Sequence, residues 1–95
     1  MPVAEGLRWH SPLGGSFLRE WVEEVCFLYN PASGRTHVLN DWGMRILDHL
    51  TRQPLSQTEL LDRFRCQTPE FAHTLAEHLP GLLRELDILG LIEPL

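Results

Sequence analysis

The segment from Val25 to Leu39 restricts the fold of this chain more than any other, because it has the pattern of a β-hairpin. Two apolar runs, Val25–Tyr29 and Thr36–Leu39, lie on either side of the turn-forming sequence Asn-Pro-Ala-Ser-Gly. The proline of that turn fixes φ where a first turn residue needs it, and Gly34 can adopt positive φ. Valine, phenylalanine, tyrosine and threonine fit a pleated, half-buried surface. We therefore predict two antiparallel strands joined by a loop of about four or five residues.

The residues before the hairpin are predicted to add strands. The apolar residues of Phe17–Val25 fall at helical spacing, but Phe17–Trp21 can equally be a strand followed by a tight turn at 22–24. We favour the strand, because two strands alone are marginal in water. Upstream, Leu7–His10 alternates weakly and predicts a short edge strand, while Ser11–Gly15 contains proline and paired glycine and predicts a break. Met1–Gly6 is expected to be a loosely held segment.

Beyond the hairpin the apolar period changes from 2 to about 3.6, which predicts helices. Each start has a recognisable N-cap: an asparagine, a serine in a capping box with Glu59, and a threonine followed by proline. The predicted helices are Asp41–Thr51, Gln57–Arg65 and Pro69–Leu89, with N-caps Asn40, Ser56 and Thr68. We expect a kink or a break at Pro80, because proline in a helix interior costs about 3 kcal/mol. Gly90 is expected to end the last helix in a Schellman motif, before a short strand within 91–95.

The order of strands followed by helices predicts an α+β fold. A three-stranded antiparallel sheet followed by three α-helices is the winged-helix-like arrangement. The chain has 95 residues, enough for one folded domain but not for two. We place that domain at residues 16–95, after an N-terminal segment, 1–15, with at most one short strand.

The charged residues exclude several classes of function. The chain has thirteen acidic residues against eight arginines and no lysine, which gives a net charge of −5. Since nucleic-acid binding requires basic side chains to neutralise phosphates, an acidic domain is a poor candidate for it. The absence of lysine also excludes Schiff-base chemistry and phosphate loops that need a lysine. The histidines are scattered and no HExxH or GxSxG motif is present, so we expect no enzyme, catalytic residue, metal or cofactor.

Cellular location is predicted from segments that the sequence lacks. No apolar run approaches the roughly 18 residues of a membrane-spanning helix, so no membrane contact is expected. The first residues have neither the basic head nor the apolar stretch of a secretory signal. Cys26 and Cys66 are far apart in the sequence, and we expect both to be reduced thiols. A cytoplasmic protein is the resulting prediction.

Three sequence motifs resemble one family. They are W-x-x-x-V-C-F-L-Y-N-P-A-S-G-R-T-H-V-L-N, a helix ending in I-L-D-H-L, and a terminal L-L-x-E-L-x-x-L-G-L-I-E. Together they cover roughly Trp21 to Glu93 and resemble the PqqD-like peptide chaperones. These are recognition elements that bind leader peptides of ribosomally made, post-translationally modified peptides (RiPPs). The similarity is greatest to a small stand-alone branch associated with HPr-kinase-related proteins.

The resemblance implies a binding mode. In such domains the leader peptide adds as a strand to the free edge of the third strand, which corresponds here to Arg35, Thr36, His37, Val38 and Leu39. Side chains of the peptide then enter a groove whose opposite wall is the third helix. The residues expected on that wall are Phe71, Leu75, Leu79 and Leu82. The implied partners are a precursor peptide and a peptide-modifying enzyme, such as an HPr-kinase-related protein.

Other interpretations of these residues stay open. Each of the four wall residues, Phe71 included, can instead be an ordinary core residue. Arg35 can be a solvated residue at the turn, and His37 can be a packing residue. A protein–protein adaptor would use the same edge and helix, and a strand edge can pair with a second copy to form a homodimer. DNA binding by winged-helix analogy is disfavoured because the third helix is acidic.

Overall fold

The computed structural model describes residues 7–14 and 16–95 and shows an α+β structure with three helices and two sheets. The strands are β1 Arg8–His10, β2 Leu18–Val22, β3 Val25–Asn30, β4 Arg35–Asn40, β5 Leu55–Ser56 and β6 Glu93–Pro94. The helices are α1 Asp41–Arg52, α2 Gln57–Gln67 and α3 Pro69–Ile88. Both sheets are three-stranded and antiparallel, with strand orders β2-β3-β4 and β5-β1-β6. The expected loose segment, Met1–Gly6, lies outside the described residues, as does Gly15.

The predicted hairpin is confirmed as β3 and β4. Its turn is closed by the Gly34 amide, which donates to the Asn30 carbonyl at 2.8 Å, and Gly34 has φ of +73°. The Asn30 side chain accepts a hydrogen bond from the Ala32 amide at 3.0 Å. In the register Phe27 lies opposite Val38. The turn chemistry seen in the sequence therefore fixes which residues of the two strands are paired.

The third strand of this meander is also confirmed. β2 pairs with β3 from Leu18 opposite Tyr29 to Val22 opposite Val25. The two-residue turn between them places Glu23 at φ of +57°, a conformation uncommon for residues other than glycine. The strand interpretation of Phe17–Trp21 was therefore correct and the helical one is wrong.

The second sheet was not predicted. β1 was expected to be an edge strand, but it lies in the centre of this sheet, with Trp9 opposite Leu55 on one side and Pro94 on the other. The short strand predicted within 91–95 is confirmed as β6, but β5 was not predicted, because a two-residue strand has no periodicity that a sequence window can detect. Ser11, the residue after β1, adds a further link between β1 and the segment that precedes β6, because its hydroxyl donates to the Leu91 carbonyl at 2.8 Å.

The predicted helix starts are confirmed for α1 and α2. The Asn40 side chain accepts from the Gly43 amide at 2.8 Å. Ser56 and Glu59 form both hydrogen bonds of the capping box, at 3.2 Å and 2.8 Å. Thr68 stands at the start of α3, but its side chain caps nothing there and instead donates to the Phe64 carbonyl of α2. The short link between α2 and α3 explains this difference, because Thr68 also ends the preceding helix.

Helix α3 is continuous over its 20 residues, so of the kink or break expected at Pro80 the break is wrong. Pro80 is exposed, and its neighbours Leu79 and Leu83 are buried. Burial of the helix face therefore offsets the hydrogen bond that proline removes. The predicted Schellman end is confirmed, with Gly90 at φ of +77° and the Leu91 amide donating to the Leu86 carbonyl at 3.0 Å.

The hydrophobic core joins the inner face of the β2-β3-β4 sheet to all three helices. Its fully buried large side chains are Leu28, Met44, Ile46, Leu47, Leu50, Leu60, Phe64, Leu79, Leu83, Leu86, Leu91 and Ile92. The bidentate ion pair of Arg19 with Asp48 connects β2 to α1 at the margin of this core. Cys26 is buried and Cys66 is exposed, and both are free thiols. Burial raises the pKa of the Cys26 thiol.

Candidate functional site

Strand β4 has one side without a strand partner in the part of the chain that the structure describes. It pairs with β3 only, so its other side is a sheet edge with unpaired backbone groups. Side chains alternate between the two faces of β4, and the register places Leu39 opposite the buried Cys26. Leu39 is 6% exposed on the inner face, whereas Val38 is 55% exposed on the outer face. An added strand would therefore present alternate side chains toward the core and toward solvent.

Two cavities lie between this edge and helix α3. The first has a volume of about 300 Å³ and is lined by Asn40, Trp42, Phe71, Thr74, Leu75, His78 and Leu82. The second has a volume of about 170 Å³ and is lined by Val38, Leu39, Asn40, Gly43, Leu82, Glu85 and Leu86. They share two lining residues, one on β4 and one on α3, so they adjoin. We call the pair the β4–α3 groove.

The first cavity has an aromatic wall. Trp42, in the first turn of α1, is half-buried and meets Phe71 edge to face, with ring centroids 6.1 Å apart. The same indole meets the buried Phe64 at 5.8 Å. The Arg45 guanidinium lies 5.5 Å from the Trp42 ring centroid and is held by an ion pair with Asp41 at 2.9 Å. These contacts fix the indole, so the cavity is preformed at this end.

Sequence reasoning did not include Trp42 in the site. An aromatic residue directly after the first helical position was the available signal, but the periodic core face of α1 contains other residues. Only the approach of α3 shows that this side chain lies under Phe71.

The four residues predicted on α3 divide between groove and core. Phe71, Leu75 and Leu82 all line the first cavity. Phe71 is 52% exposed and Leu75 only 3%, so the phenylalanine forms the rim and the leucine the floor. Leu79 is 0% exposed and belongs to the core, so it offers no surface to a peptide.

The predicted β4 residues differ in their access to the groove. Val38 and Leu39 line the second cavity directly. Arg35 and Thr36 are exposed near the turn, and His37 is half-buried on the inner face opposite Leu28. The strand therefore supplies side chains to the groove mainly at its C-terminal end, and a backbone edge along its whole length.

The second cavity contains one acidic side chain, that of Glu85 on α3. Within residues 7–14 and 16–95 its carboxylate has no ion pair or side-chain hydrogen bond. The first cavity has no Asp, Glu or Arg among its lining residues and contains Asn40, Thr74 and His78 as polar groups. The groove therefore has no acidic side chain at the end near Phe71, where aromatic and leucine side chains form much of the lining, and is negative at the end near Val38.

The titratable groups with shifted pKa values lie away from this groove. His49 of α1 is buried edge to face against Phe64 at 5.2 Å, and burial lowers its pKa below the ordinary value. In the described part of the chain, no group of three or more His, Cys, Asp or Glu side chains is placed to hold a metal ion. The groove itself offers a backbone edge and apolar side chains for contact.

The outer face of the β2-β3-β4 sheet is a second exposed apolar surface. Leu18, Phe27, Tyr29 and Val38 are each at least 40% exposed there, in neighbouring positions of the register. A shallow cavity of about 260 Å³ lies between Leu18 and Thr36 on this face. It has no wall formed by a helix, which distinguishes it from the groove.

Comparison of the sequence with family models and curated proteins, and of the fold with solved structures, gives no match. None of the helices in the described ranges is long and apolar enough to cross a membrane.

Proposed function

We propose that this chain binds the leader region of a ribosomally synthesised precursor peptide by strand addition at β4 and presents it to a modifying enzyme. The observation that carries the proposal is the position of the β4 edge, which has no strand partner among the described residues, beside the β4–α3 groove. Backbone hydrogen bonds along Arg35–Leu39 would provide affinity, and side chains entering the β4–α3 groove would provide selectivity. The resemblance to the PqqD-like peptide chaperones supports the same mode.

Other parts of the proposal extend this binding mode. The three-stranded sheet and three helices are consistent with a winged-helix-like domain to which a second, small sheet has been added. The proposed partner is a peptide-modifying enzyme, such as an HPr-kinase-related protein, and the proposed location is the cytoplasm. In this role the chain has no catalytic residue, metal or cofactor of its own.

Strand addition is tested by blocking backbone hydrogen bonds without altering side chains. Amide NMR spectra of the protein would be recorded during titration with the leader of a precursor peptide encoded beside its gene. The same leader, N-methylated at alternate residues, is the matched control. We expect shifts confined to Arg35–Leu39 and to Phe71–Leu82. We also expect methylation of one set of alternate peptide residues to abolish binding, and methylation of the other set to leave it unchanged. Equal affinity of all methylated forms would exclude strand addition.

The protein can be altered in the complementary way. Along β4 the amides of His37 and Val38 point to opposite sides of the strand, one toward β3 and one toward the free edge. Proline at the edge-facing position removes a donor yet is tolerated by an edge strand, whereas proline at the other position breaks the sheet. Of His37→Pro and Val38→Pro, the variant that keeps a native circular dichroism spectrum is therefore expected to lose peptide affinity.

An adaptor that docks a protein without binding a leader is the second candidate. The exposed apolar face around Leu18, Phe27 and Val38 favours it, because such a patch often marks a protein contact. The two functions differ in the residues that respond to the partner. Shifts on this outer face alone, with no response of Phe71 or Leu82, would favour the adaptor. DNA binding has less support, since α3 has four acidic residues and one arginine.

A further inference from the structure

We propose that the β4–α3 groove selects peptides with a large apolar, preferably aromatic, side chain and a basic side chain about four residues apart on one face of the added strand. This inference rests on the proposed function and names the class of peptide that the site takes. The apolar side chain occupies the first cavity and the basic side chain pairs with Glu85 in the second.

The first cavity is suited to an aromatic side chain by its size and walls. Its volume of about 300 Å³ is at the lower end of the range for small-molecule pockets, which leaves room for one large side chain. Trp42 and Phe71 present ring surfaces, and Leu75 forms an apolar floor. A further ring can add to this edge-to-face cluster, an arrangement more favourable than contact with an aliphatic group of equal area.

The second cavity favours a positive charge. Glu85 is its one charged lining residue, and the carboxylate has no partner among the described residues. Around it the wall is formed by Val38, Leu39 and Leu86, which can pack against the methylene stem of an arginine or lysine. The net charge of −5 adds attraction at longer range. An acidic residue at this position of the peptide would be repelled.

The distance between the cavities fixes the spacing of the two side chains. On α3 the first cavity is lined by residues 71–82 and the second by residues 82–86, so their centres are about eight helical residues apart. At about 1.5 Å per residue this is roughly 12 Å along the helix. An extended strand covers the same distance in about four residues, at about 3.3 Å each. An even number keeps both side chains on the face directed into the groove.

The test uses short fluorescent peptides in a common serine and threonine host, measured by polarisation with the whole protein. One peptide has Phe and Arg four residues apart. The comparison peptides replace Arg by Glu, replace Phe by Ala, or move Arg one residue so that it lies on the opposite face. The Phe–Arg peptide is expected to bind at least about five-fold more tightly than each of the others, the effect of one partly exposed ion pair or more.

A charge reversal identifies the residue that is responsible. In Glu85→Arg the preference should invert, so that the Phe–Glu peptide binds more tightly than the Phe–Arg peptide. Glu77→Arg is the matched control, because Glu77 is an exposed acid of the same helix outside both cavities and its replacement changes net charge equally. This control should keep the parent's order of affinities. At about 1 M salt, where the screening length is about 3 Å, the preference should largely disappear.

Failure of this inference differs from failure of strand addition. If a natural leader binds at β4 but the Phe–Arg and Phe–Glu peptides bind equally, or Glu77→Arg changes the order as much as Glu85→Arg, the assigned selectivity is wrong and leader binding stands. If none of the host peptides binds, the two side chains are not sufficient and the inference is likewise overturned. If N-methylated leaders bind as well as unmodified ones, strand addition itself is excluded.

Discussion

Trp42 and Phe71 lie edge to face, with ring centroids 6.1 Å apart and ring planes inclined by 66°. One residue is in the first turn of α1 and the other is in the first turn of α3, 29 positions later in the chain. Their contact joins the N-terminal ends of two helices beside the end of β4. The aromatic wall of the groove is therefore assembled from residues that no local pattern connects.

Truncation at this wall should separate binding from stability. Phe71→Ala is expected to weaken binding of an aromatic-anchored peptide about ten-fold, but to lower the free energy of unfolding by only about 1 kcal/mol, because the ring is half exposed. Leu79→Ala, in the core, should cost about 2–5 kcal/mol of unfolding free energy while the folded fraction binds normally. Urea unfolding and polarisation measure the two effects. Full affinity in Phe71→Ala would contradict a peptide pocket at this position.

Two glycines should respond to alanine in opposite directions. Gly34 has φ of +73° and an added Cβ would meet no atom within 4 Å, so Gly34→Ala is expected to destabilise by about 1–2 kcal/mol through backbone strain alone. Gly81 lies within α3, where an added Cβ also meets nothing, and Gly81→Ala should stabilise by about 1 kcal/mol. Thermal unfolding of both variants checks the signs. A loss of stability in Gly81→Ala would indicate that α3 is not helical at that residue.

The capping box of α2 should have a measurable share in stability. Ser56→Ala removes the hydroxyl that accepts from the Glu59 amide and is expected to cost about 1 kcal/mol of unfolding free energy. Thr58→Ala, an exposed change within the same helix, is the control and should have little effect. Equal losses in the two variants would show that the cap does not stabilise this helix.

His49 should make stability depend on pH. Burial, assisted by the charges of Arg52 and Arg63, lowers its pKa below the ordinary value of 6.5. Below that value the unfolded chain binds a proton that the folded chain resists, so the contribution of His49 to stability is present above about pH 6.5 and is lost as the pH decreases below it. Chemical unfolding of the parent and of His49→Gln between about pH 7 and 5 measures this, with a flatter profile expected for the variant. Identical profiles would assign the dependence to other groups.

The strand that borders the groove was largely predictable from the sequence. The division of α3 residues between groove and core was not. The edge strand and its alternation follow from the turn at 30–34, because a tight turn fixes the register of both strands it joins. On α3 the apolar period identified a buried face but did not distinguish Leu79, in the core, from Phe71, on the rim. Both satisfy the same helical spacing, and only the neighbouring elements determine which one is covered.

The sequence by itself determined the elements whose causes are local. The hairpin, the caps at Asn40 and Ser56 and the Schellman end at Gly90 depend on hydrogen bonds and dihedral angles within a few residues. Tertiary structure alone decided three further features: the sheet that places β1 between β5 and β6, the unbroken course of α3 through Pro80, and the groove. Each depends on burial shared between segments distant in the chain, and that free energy exists only once those segments are packed together.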